Sequence, residues 1–123
     1  MSVLDTSAVL AMLYEEEGAD KARSFTDPGS ISLVNVAEVL TDLLRSGYRD
    51  VAGAMSALDD LQLRVRSVYE SHALRVAELK QVRGLSLGDC FCIALGEATG
   101  EPLITADRQW ATLDLAVPVE LIR

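Results

Sequence analysis

The decapeptide at residues 101–110, EPLITADRQW, reads as a short buried strand that ends by delivering an acid. Pro102 opens it, Leu103, Ile104 and Thr105 are apolar or β-branched, and the chain turns polar at Asp107. Residues 2–11, SVLDTSAVLA, repeat the device near the other end: Val3 and Leu4, then Asp5. Buried strands that each finish on a carboxylate are the pattern of an open α/β sheet, whose ligand sites lie beyond the carboxyl ends of its strands.

The stretches between them alternate in period. A strand at Val3 and Leu4 leads into a predicted helix over 7–16, and ADKARSF (19–25) is a second, shorter helix. DPGS (27–30) is a turn signal, and residues 31–34 form a second strand. NVAEVLTDLLRSG (35–47) places Val36, Val39, Leu40, Leu43 and Leu44 at helical spacing and stops at Gly47. Another amphipathic helix is predicted over 49–61, a half-buried strand over 61–65, and a helix over 70–84. SLGDCFCIALGEATG (86–100) is the most apolar helix and is placed at the centre. A strand at 102–105, a helical turn at 107–113 and a last strand at 117–122 complete the chain. Strands alternating with helices imply a small parallel sheet of about five strands, flanked by helices on both faces. The reading is one α/β domain over residues 1–123.

Half of the residues are hydrophobic and 24% are charged, a globular balance, and no apolar run reaches the ~20 residues that span a bilayer. No export signal is visible, and two cysteines two positions apart make no disulfide framework, so the expected setting is the cytoplasm, off the membrane. The formal net charge is −8 and the pI about 4.5. Such a chain does not hold a polyanion by bulk charge; it needs a cation at the site, local arginines or a basic partner.

Four acids stand out. Asp5 and Asp107 close strands, Glu38 is read in the first turn of the helix after the second strand, and Asp89 opens the central helix. Each has a plain alternative as a helix cap. Ser86-x-x-Asp89 has the pattern of a capping box, Asn35-x-x-Glu38 reads as another with Asn35 as N-cap, Asp5 or Ser7 suits the first helix, and Asp107 suits the turn at Trp110. Caps alone need no converging charge, since Ser, Thr or Asn serve without repulsion. Four carboxylates on one edge raise one another's pKa or hold a cation, and oxygen-only donors suit Mg²⁺ or Mn²⁺. An acid cluster holding such an ion serves phosphoryl chemistry.

In order and spacing, VLDTSAVLA, NVAEVL, LSLGDCFCIALG and LITADRQW resemble PIN domains, with the nearest likeness to VapC-type toxins of toxin–antitoxin pairs. The resemblance covers nearly the whole chain. It implies a small parallel sheet between helices and an Mg²⁺- or Mn²⁺-dependent endoribonuclease that leaves 5′-phosphate and 3′-hydroxyl ends. It assigns Asp5, Glu38, Asp89 and Asp107 as the catalytic, metal-binding acids, with Ser7 and Thr105 as supporting hydroxyls. Arg108, Lys80 and Arg83 are candidates to touch RNA phosphates, against the plain reading of solvated surface. The resemblance further implies a cognate antitoxin, for which Leu10, Leu13 and Tyr14 offer apolar positions, and self-association as a homodimer. Two rival functions share the residues: a PIN-like scaffold that only binds, and an aspartyl-phosphate phosphotransfer domain with Asp5 as nucleophile. The second lacks a further acid at position 7, which is Ser7, and a lysine after the late strand.

Other residues carry less. Cys90 and Cys92 lie about 200° apart around a helix, so they do not chelate one ion together, and they read as core. His72, the single histidine, is read as exposed or capping. Arg64 and Arg66 alternate on a strand, which suits a sheet edge.

Overall fold

The computed structural model describes residues 1–48 and 50–123. Five strands, β1 (Ser2–Leu4), β2 (Gly29–Ser32), β3 (Arg64–Arg66), β4 (Leu103–Thr105) and β5 (Val119–Leu121), form one sheet in the order β3-β2-β1-β4-β5, with every pair parallel. Among the described residues six α-helices join them: α1 (Thr6–Leu13), α2 (Ala19–Arg23), α3 (Leu33–Arg45), α4 (Val51–Asp59), α5 (His72–Leu79) and α6 (Leu87–Thr99). A 3₁₀ turn, Arg108–Thr112, follows β4.

Strand β1 is buried along its whole length, and its side chains alternate between the two faces. Leu4, with Ile31 and Ile104, packs under α1, α3 and α4 against Val9, Met12, Val39, Leu43 and Leu58. Val3, with Leu103, faces α5 and α6 and packs with Ile93, Leu95, Val76 and Trp110. Helices therefore cover both faces, as the alternating pattern required. Cys90 and Cys92 are free and buried in the second cluster.

The chain winds outward from β1 to β2 and β3, then returns through α5 and α6 to place β4 on the other side of β1. The direction of winding thus reverses between β1 and β4. In open parallel sheets that reversal opens a crevice at the carboxyl ends of the strands. Asp5 N–H donates to Ile104 O at 2.9 Å, so the two strand ends stay paired up to the crevice.

Some boundaries differ from expectation. Strand β2 ends at Ser32, not at residue 34, because Ser32 Oγ accepts from Asn35 N–H and starts the helix there. Leu33 and Val34 look like strand but form the first turn of α3, where Leu33 is half exposed. Asn35 is therefore not the N-cap, and Glu38 falls in the second helical turn rather than the first. The third strand lies at Arg64–Arg66, outermost in the sheet, and is mostly exposed. The helix predicted from residue 49 begins at a position outside the described residues and is helical over Val51–Asp59. His72 is 8% exposed rather than open to solvent, with its ring edge-on to Tyr69 at 5.6 Å. Gly47 and Gly100 take left-handed φ of +116° and +71° just past α3 and α6, the conformation that ends a helix at least cost in glycine.

Gly96 lets α6 lie close on the sheet: a Cβ there would collide with Leu103 Cδ2, a side chain that is itself fully buried. Alanine is worth about 1 kcal/mol over glycine inside a helix. Overpacking a core costs about 1–3 kcal/mol. Gly96→Ala is thus expected to lower stability in chemical denaturation by about 1 kcal/mol, whereas a gain would mean that α6 stands off the sheet.

Candidate active site

Asp5 occupies the N-cap position of α1 but makes no side-chain cap bond. Its carboxylate is turned instead toward β4. Ser7 Oγ donates to Asp5 Oδ2 at 2.7 Å, and Thr105 Oγ1 donates to the same oxygen at 2.9 Å. These hydroxyls are themselves fixed, since Ala106 N–H donates to Ser7 Oγ at 2.9 Å and Asp107 N–H to Thr105 Oγ1 at 3.0 Å. Asp5 is 3% exposed, and its second oxygen, Oδ1, is buried with no hydrogen-bond partner among the described residues. Burial, reinforced by the charge of Asp89, raises its pKa from 3.8 to about 6 against the pull of the Ser7 and Thr105 hydrogen bonds.

Of the other three acids, Asp89 acts on this carboxylate directly, and Glu38 and Asp107 act on Asp89. Asp89 sits in the first turn of α6, where Ser86 Oγ accepts from Asp89 N–H and Asp89 Oδ2 accepts from Ser86 N–H, a complete capping box. Asp107 caps the 3₁₀ turn, its Oδ1 accepting from Gln109 N–H at 2.9 Å. The plain reading thus holds in geometry for both. Even so, the pKa of Asp89 is raised, by burial first and then by the charges of Glu38 and Asp107, so the acids lie within one another's fields.

Glu38 is no cap. Its Oε1 accepts from Thr6 Oγ1 at 2.6 Å and from Asn35 Nδ2 at 2.8 Å, which ties α3 to the start of α1. Thr6 and Gly88, in contact around Glu38, are residues the sequence reading did not single out, and Asn35, read there as a cap paired with Glu38, holds it by its side chain instead. For Gly88 the one local signal was its small size beside Asp89. A groove of about 540 Å³ runs from this point, lined by Thr6, Val34, Glu38, Arg45 and Leu87 among others.

The donors fit a hard divalent cation in kind: all are carboxylate oxygens, and one of them, Asp5 Oδ1, is buried and bare, a position natural structures fill with a water or an ion. They do not enclose one as they stand, since among the described residues no three His, Cys, Asp or Glu side chains are drawn together tightly enough to hold an ion. One oxygen of Asp89 and one of Asp107 are engaged in caps.

The basic candidates lie at the surface. Arg108 and Arg83 are exposed, and Lys80 Nζ donates to Leu85 O at 2.8 Å. Leu10 and Leu13 pack against the core, and the Tyr14 hydroxyl donates to Asp42 Oδ1 at 2.5 Å, so this ring is pinned to α3.

A five-stranded parallel sheet whose central strand ends on a buried carboxylate beside the switch point defines a class of α/β proteins with an acidic strand end. Within that class the chain belongs to the PIN domain family, whose family model matches residues 2–115. Ribonuclease VapC30 of Mycobacterium tuberculosis is 26% identical, over 93% of this chain and 95% of its own. The structure resembles VapBC-5, a toxin–antitoxin system of Mycobacterium tuberculosis, at 26% identity and a TM-score of 0.65, covering 99% of this chain and 97% of that one. It also overlays on a toxin–antitoxin complex from Klebsiella pneumoniae with a TM-score of 0.77 at 19% identity, over 100% of this chain and 98% of that one.

A carboxyl whose folded pKa lies above its unfolded value binds more protons when folded. Its stabilising share is present at low pH and is lost as pH rises through the folded value. For Asp5 the window runs from about pH 4 to just above 6, and the loss amounts to up to about 3 kcal/mol. Without divalent ions the protein is expected to lose stability across that window. Asp5→Asn, followed by urea denaturation at several pH values, should flatten the fall and be the more stable form at pH 7; an unchanged slope would place the titrating group elsewhere.

Proposed function

We propose that the protein is a metal-dependent endoribonuclease, the toxin of a toxin–antitoxin module, that hydrolyses RNA to 5′-phosphate and 3′-hydroxyl ends. The observation that carries this is Asp5 Oδ1, an oxygen of a buried carboxylate left without a partner within the field of Asp89, which in turn feels Glu38 and Asp107. Membership of the PIN family and the likeness to VapC ribonucleases support it.

Asp5, Asp89 and Asp107 would hold Mg²⁺ or Mn²⁺, with Glu38 beside them. When bound, such an ion supplies charge neutralisation at the scissile phosphate and activation of water. The chain's own residues do the remaining work. Ser7 and Thr105 fix Asp5 Oδ2, so that Oδ1 is presented without rotation. Glu38, held through Oε1, keeps its other oxygen to orient the attacking water and accept its proton. Water adds to phosphorus as its proton passes to Glu38, the bond to the 3′ oxygen breaks, and that oxygen takes a proton from solvent to leave as a hydroxyl, while Glu38 returns its own proton to solvent. Arg108, Arg83 and Lys80 neutralise flanking phosphates, a local supply that a chain of net charge −8 requires.

The same charge favours a basic partner, and a cognate antitoxin meets that need, in line with the VapBC likeness. Self-association as a homodimer belongs to the same reading. Free, buried Cys90 and Cys92 accord with the reducing cytoplasm. A second reading, a PIN scaffold that binds without cutting, draws on the capped states of Asp89 and Asp107.

Mn²⁺ separates the two. At a hundred times its Kd a bound ion adds about 2.7 kcal/mol, read as a rise in melting temperature that Asp5→Asn abolishes. RNA cleavage should cease in the same variant and on adding EDTA. A metal-induced rise without cleavage would leave the binding scaffold, and the absence of any rise at millimolar Mn²⁺ would remove the metal site.

A further inference from the structure

Asn35 is fully buried and every polar atom of its side chain is engaged. Ser32 Oγ donates to Asn35 Oδ1 at 2.7 Å, which fixes the amide's orientation. The Nδ2 group faces Glu38 Oε1 at 2.8 Å, Thr6 Oγ1 at 3.0 Å and Gly88 O at 3.3 Å. One amide thus ties together α3, the first residue of α1 and the first turn of α6. Gly88 completes the arrangement from the other side, since a Cβ there would collide with both carboxylate oxygens of Glu38. Glu38 Oε2 has no protein partner among the described residues, and the charge of Glu38 is felt at Asp89.

We infer that Asn35 is a positioning residue for Glu38: its buried amide, oriented by Ser32, holds Oε1 while the carboxylate lies in the space Gly88 leaves open, so that Oε2 alone is left without a hydrogen-bond partner to act. A solvated helix glutamate would sample several rotamers, and the amide removes that freedom before substrate arrives. The inference rests on the proposed catalytic part of Glu38 and adds the residue that sets its orientation.

The test exchanges donor and acceptor. Asn35→Asp is nearly isosteric and keeps the acceptor for Ser32, but turns a carboxylate oxygen toward Glu38. Its kcat for RNA cleavage is expected to fall by about tenfold or more, with KM within about twofold, and its melting temperature to drop. Glu38→Gln, expected to lower kcat as well, restores a donor across the contact when combined with Asn35→Asp. The double variant should therefore melt well above the sum of the two single effects. If Asn35→Asp does not fold, recovery of folded protein in the double variant reads the same coupling. Unchanged kcat in Asn35→Asp, or additive melting shifts, would overturn the positioning role. Unchanged kcat in Glu38→Gln would instead remove the catalytic part of Glu38, and with it the purpose of the contact.

Discussion

Asp5 stands out of water at the end of the central strand, with two hydroxyls on one oxygen and nothing on the other. Most of the architecture converges on that carboxylate. Strand β1 delivers it, β4 brings Thr105 against it, and α6 brings Asp89 close enough to raise its pKa. An unsatisfied buried acceptor costs about 1–3 kcal/mol, and more when charged. A fold that needed only a helix cap at this position would not retain that cost.

The sizes of the competing effects decide how the acids are read. A cap is worth about 1 kcal/mol, and an acid near a helix N-terminus a few tenths to about 1 kcal/mol. For Asp89 and Asp107 those values are enough to explain the geometry by themselves. They do not explain Asp5, which sits in a cap position without capping, or Glu38, which is held by side chains from two helices. Two roles therefore coexist at one edge. The caps hold Asp89 and Asp107 in place at modest gain, while Asp5 and Glu38 are held by partners whose effect is orientation.

Much of this was legible in the sequence, and for physical reasons. Val3-Leu4-Asp5 and Leu103-Ile104-Thr105 betray buried parallel strands, because both faces of such a strand are covered and alternation disappears. Ser86-x-x-Asp89 announced its capping box, since both of its bonds are local. The start of α3 was misplaced because Leu33 and Val34 carry strand-like side chains while the deciding contact, Ser32 Oγ with Asn35 N–H, is a single hydrogen bond. His72 was misjudged because its burial is set by tertiary packing, which local polarity does not encode. The clasp around Glu38 lay beyond sequence reasoning for the same cause: Thr6, Asn35 and Gly88 meet only after α1, α3 and α6 have packed.

Carbon-detected NMR titration of the Asp5 carboxyl, with and without Mg²⁺, bears most directly on whether that buried oxygen belongs to a cation. The expected result is a midpoint near pH 6 in the metal-free protein, driven down by saturating Mg²⁺ to below the ordinary carboxylate range. A midpoint at the ordinary 3.8, indifferent to Mg²⁺, would contradict it.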